Sequence, residues 1–66
     1  MKLNSTRVRE LIAMQDLTIG KLATKAGVSA TALGQALQRG TCALRIGGRI
    51  AAALGVSIRD IWIMED

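Results

Sequence analysis

Apolar residues recur at three- and four-residue spacing in short blocks along this chain. Val8, Leu11 and Ile12 form one stripe, and Leu22, Ala23 and Ala26 a second. Leu33, Ala36 and Leu37 form a third, and Leu44, Gly47, Ile50, Ala51 and Leu54 a fourth. Such a period marks the core-facing side of an α-helix. Small polar residues precede the blocks, and glycines follow three of them. The first helix therefore spans about 4 or 5 to 14, with Asn4 preferred as its N-cap. Thr18 caps the second, which Gly27 stops. Ser29 opens the third, and 38–41 is a turn. The fourth covers about 43–54 and stops at Gly55. Ser57 opens a fifth, where Ser57-Ile58-Arg59-Asp60 is a capping box with Asp in place of Glu and Ile61 points back to the core. The expected architecture is all-α with five helices, in one domain covering 1–66.

Several apolar residues do not all fit the inward stripes: Met14, Ile19, Ile46, Trp62, Ile63 and Met64. One face of the fifth helix buries Ile61 with Met64 or Ile58, which leaves Trp62 and Ile63 outside. An exposed Trp-Ile pair suits a dimer contact. Size points the same way. A 66-residue chain has a marginal core and usually needs a staple, a metal or a second subunit. With no His and one Cys, a disulfide within the chain or a metal cluster is ruled out, and a homodimer is the expectation. One aromatic residue and seven glycines argue against a sheet. Met1 and a clean C-terminus suggest a natural small chain.

Charge narrows the partner. From 17 to 58 the sequence holds no Asp or Glu, yet it contains Lys21, Lys25, Arg39, Arg45 and Arg49. The acids, Glu10, Asp16, Asp60, Glu65 and Asp66, all lie outside. With a formal net charge of +4 and a pI near 10.3, the centre suits a polyanion, nucleic acid above a membrane surface. No apolar run reaches the roughly 18 residues of a membrane span. A lone Cys without a secretory signal suggests a reducing, cytoplasmic setting. Cys42 reads as a small buried hydrophobe, since no His is present to activate it. Gly47-Gly48 reads as close packing of the fourth helix, because the rest of a phosphate-loop signature is missing. Glu65-Asp66 reads as a solvated tail. With no nucleophile–base pair available, neither an enzyme nor a cofactor is expected.

Two helices joined at Ala26-Gly27-Val28, the second opened by Ser29, have the form of a helix-turn-helix over about 18–38. The run Thr18…Leu22-Ala23…Ala26-Gly27-Val28-Ser29…Leu33, followed by Ile50-Ala51…Ala53-Leu54-Gly55-Val56-Ser57, resembles the Cro/phage-repressor helix-turn-helix family, also called XRE. Residues 42–56 are particularly similar to small variants from Gram-positive bacteria and their mobile elements. The resemblance covers essentially the whole chain. It implies a five-helix repressor-like domain whose third helix enters the DNA major groove, in a dimeric repressor of transcription. Base contacts would then fall to Ala30, Thr31 and Gln35. Gln35 can pair bidentately with adenine, and Thr31 can hydrogen-bond or pack on a thymine methyl. Phosphate contacts would come from Thr18, Lys21, Ser29, Gln38, Arg39, Thr41 and Arg45. The chain departs from the family pattern at Ile19, often Gln, at Ala30, usually long and polar, at Gln35, often Arg, and at Gly34 inside the recognition helix. Its reading surface is therefore small, and phosphates should carry most of the affinity.

A second reading keeps the scaffold but changes the partner. As an antitoxin-like or anti-repressor adaptor, the domain would bind a protein through Ile19, Ala30, Ile46 and Trp62.

Overall fold

A computed structural model describes residues 1–64; Glu65-Asp66, expected as a solvated tail, lies outside the described residues. The helices are α1 Ser5–Met14, α2 Ile19–Ala26, α3 Ala30–Arg39 and α4 Leu44–Leu54, followed by a 3-10 turn, Ile58–Ile61. The described chain is thus all-α with four helices, and the expected fifth is one short turn. None of the helices is long and apolar enough to cross a membrane.

The sequence explains both ends of most helices. Asn4, Thr18 and Ser29 each accept the backbone N–H three residues on, at 3.1, 3.1 and 3.0 Å, satisfying donors that a helix start leaves open. Ala43 precedes α4 without a side-chain cap. Every helix ends with a backbone bond from the sixth residue back to the first: Leu17 to Ile12, Val28 to Ala23, Thr41 to Ala36 and Val56 to Ala51. Such an ending needs a left-handed residue just before the donor. Gly27, Gly40 and Gly55 supply it at φ near 70°, and Asp16 supplies it for α1 at φ 55. Gly40 is that residue for α3, so the helix runs on through Gln38 and Arg39, which the sequence reading assigns to a turn.

The core holds Val8, Leu22, Leu33, Ile50 and Ile61 with no exposure. α2 packs against α3 and α4, α1 packs against α3, and the 3-10 turn closes on α1 and α4. The inward residues predicted for α1, α2 and α3 are all buried. In α4 the prediction needs one correction. Leu44 is 55% exposed, and Ala53 is buried in its stead. The helix meets α2 on one side and the 3-10 turn on another, so its buried arc widens past Ile50 to Ala53 and leaves Leu44 at the margin. Gly47 packs close to the Met1 side chain, whose flexible end would have to shift for a Cβ, but Gly48 faces open space.

Residues 1–3 form a feature absent from the sequence reading. They run antiparallel between two other extended segments, with bridges pairing Lys2 with Thr41 and Leu3 with Trp62. Leu3 N–H donates to Gly40 O at 2.9 Å and Cys42 N–H to Met1 O at 3.1 Å on one side. On the other, Asn4 N–H donates to Ile61 O at 2.7 Å and Ile63 N–H to Lys2 O at 2.9 Å. Leu3 itself is 1% exposed and belongs to the core. This seam also changes the setting of Trp62, which the pattern leaves outside on a fifth helix. The residue is extended and half-buried, so it does not stand free on a helix. Ile63 stays exposed.

Candidate nucleic-acid interface

The link between α2 and α3 is short and fully specified. Gly27 takes the left-handed turn, Val28 half-buries, and Ser29, extended at φ −74 and ψ 150, restarts the helix. Arg49 on α4 reaches across and donates from Nη1 to Gly27 O at 3.3 Å. One of the five central cations is thereby occupied as a tie on this turn.

On α3 the buried residues Leu33, Ala36 and Leu37 leave the opposite side open. Thr31, Gln35 and Gln38 lie there at spacings of four and three, in one exposed row along the helix. Ala30 is exposed at the flank of this row. Gln38, expected from sequence at phosphates, shares the row with Thr31 and Gln35, the two polar candidates for base contact. Gly34 borders it, and a Cβ there would meet nothing within 4 Å.

The remaining phosphate candidates sit at helix ends. Lys21 is exposed in the first turn of α2, Arg39 ends α3, and Arg45 is exposed in the first turn of α4. The Thr18 and Ser29 oxygens accept cap bonds. A hydroxyl that accepts still has its own proton to donate, so capping leaves both able to bond an anion. Thr41 is different. Its Oγ1 donates to Met1 O at 3.1 Å and its N–H points to Ala36 O. Both donors of this exposed residue thus serve the seam.

The residues proposed for protein contact come apart. Ile19 and Ile46 are half-buried and pack on the core, so neither stands out as an apolar anchor. Cys42 is half-buried, and burial raises its thiol pKa against the opposing pull of the N-terminal ammonium and a Gly47 backbone hydrogen bond. No group of three His, Cys, Asp or Glu side chains converges among the described residues.

Comparison with models of known families, with curated proteins and with solved structures finds no match to this chain.

Proposed function

We propose that this chain is a DNA-binding transcriptional regulator that lays α3 in the major groove and acts by occupying its site. The observation carrying the reading is the exposed row Thr31, Gln35 and Gln38 on a helix braced by α2, in a stretch with cations and no acids. A major groove about 12 Å wide accepts one helix, and a recognition helix must be held from behind by its neighbours. Leu33, Ala36 and Leu37 provide that anchorage. Lys21, Arg39 and Arg45 supply the phosphate contacts, and the row supplies amides and a hydroxyl for base edges.

Titration of mixed duplex DNA tests this directly. With about four phosphates engaged, affinity should drop about a hundredfold between about 50 and 200 mM salt. Binding that ignores salt, or no binding at low salt, would overturn the reading. Arg39→Ala should weaken all sequences alike, and Gln35→Ala should cost about 1–3 kcal/mol at one base position while sparing nonspecific affinity. Sequences selected from random DNA, bound to wild type and to each variant, measure both.

A further inference from the structure

The turn that launches α3 is held from a third helix. Arg49 lies on the exposed side of α4, which packs against α2. Its Nη1 donates to Gly27 O at 3.3 Å. A Cβ built on Gly27 would stand 3.7 Å from the same nitrogen, so the guanidinium lies against the turn itself. Gly27 is the left-handed residue that ends α2, and Ser29, the cap of α3, follows two positions on. A guanidinium–carbonyl bond is charge-assisted and directional. It fixes the peptide about which α3 would pivot.

We propose that Arg49 is a positioning residue for base readout. It sets the angle at which α3 presents Thr31, Gln35 and Gln38, and it engages no phosphate. This role depends on α3 reading DNA, as proposed for the chain. Length explains why a single tie matters. A ten-residue helix such as α3 is about 15 Å long, and a tilt of about 10° at its start carries its far end through about 2.5 Å. That is most of the roughly 3.4 Å between base pairs. Gln35, halfway along, moves by about 1 Å, which takes a bidentate amide–adenine pair out of hydrogen-bond range. Phosphate contacts are less exacting, because Lys and Arg heads on long flexible stems follow such a shift. Loss of the tie therefore lowers discrimination and leaves the electrostatic share of affinity in place. Arg45 is the contrast. It is exposed one turn earlier on the same helix and carries the same charge, but its role is at phosphates.

Arg49→Met keeps the length of the stem and removes charge and donor, and Arg45→Met does the same one turn away. Each full-length variant is titrated with a duplex selected from random DNA and with a scrambled duplex, from about 50 to 200 mM salt. For Arg49→Met the ratio of the two affinities should fall at least about threefold, with the salt slope of wild type. For Arg45→Met the slope should lose about 0.9 while the ratio holds. In a Gln35→Ala background, Arg49→Met should cost less discrimination than in wild type, because it acts partly through that side chain. Without DNA, the Val28 amide, bonded to Ala23 O at 3.0 Å in the same turn, should exchange faster in Arg49→Met, and circular dichroism checks that the helices remain. A slope lowered by about 0.9 with the ratio kept would make Arg49 a phosphate contact and overturn this role alone. Unchanged Val28 exchange would also overturn it alone. A chain that binds neither duplex at low salt would overturn the DNA reading, and this role with it.

Discussion

Asp16 does a glycine's work. It ends α1 in the left-handed region at φ 55, where glycine ends the other three helices, and its carboxylate sits by the negative end of the helix dipole. Both terms are unfavourable. Asp16→Gly should stabilise the fold by about 0.5–1 kcal/mol, allowing for the unfolded chain's added freedom, measured by urea unfolding at neutral pH. Gly34 and Gly48 are the converse case, helical glycines with open space where a Cβ would go. Alanine at either should add up to about 1 kcal/mol. At Gly47 the same gain is offset by the shift of the flexible Met1 side chain that a Cβ requires, so Gly47→Ala should stabilise less than Gly48→Ala, which paired melting curves check.

At the scale of elements, the helices were legible because each carries its own instructions. In α2 and α3 cap, stripe and stop lie within a dozen residues, and Asn4, Thr18, Ser29, Gly27 and Gly55 all act where the pattern put them. The exposed row on α3 was equally legible, since Leu33, Ala36 and Leu37 fix which side is out. The seam was not. Its alternation, Met1-Lys2-Leu3, is too short to register as a strand, and its partners lie 39 and 59 positions away. The bond of Thr41 across the seam was illegible for that reason, because its hydroxyl answers to a carbonyl that only the tertiary fold brings near. The fifth helix failed differently. Ser57 caps Arg59 N–H at 3.2 Å, while the N–H of Asp60 returns to Ser57 O at 3.0 Å, which winds a 3-10 turn. The seam's weight can be measured. Leu3→Ala should cost about 2–4 kcal/mol, and the unfolding midpoint in urea would show a much smaller shift if residues 1–3 were only draped on the surface.

Over the whole molecule, α1 acts as a strut between distant ends. Ser5 Oγ donates to Leu37 O at the end of α3, and Gln15 Nε2 donates to Leu54 O at the end of α4, both at 2.7 Å. Gln15→Ala leaves the last turn of α4 without that donor and should cost about 1 kcal/mol, seen as faster amide exchange near Gly55 and Val56 ahead of the rest. The seam sets the molecule's connectivity as well. Residues 1–3 and 61–63 run side by side in opposite directions, so a short loop joining them would create a local hairpin from what is now a distant pairing. A circular permutant built that way and reopened between Val56 and Ser57 would keep every helix intact. Its contacts would be more local, and it should fold faster than the natural order of the chain.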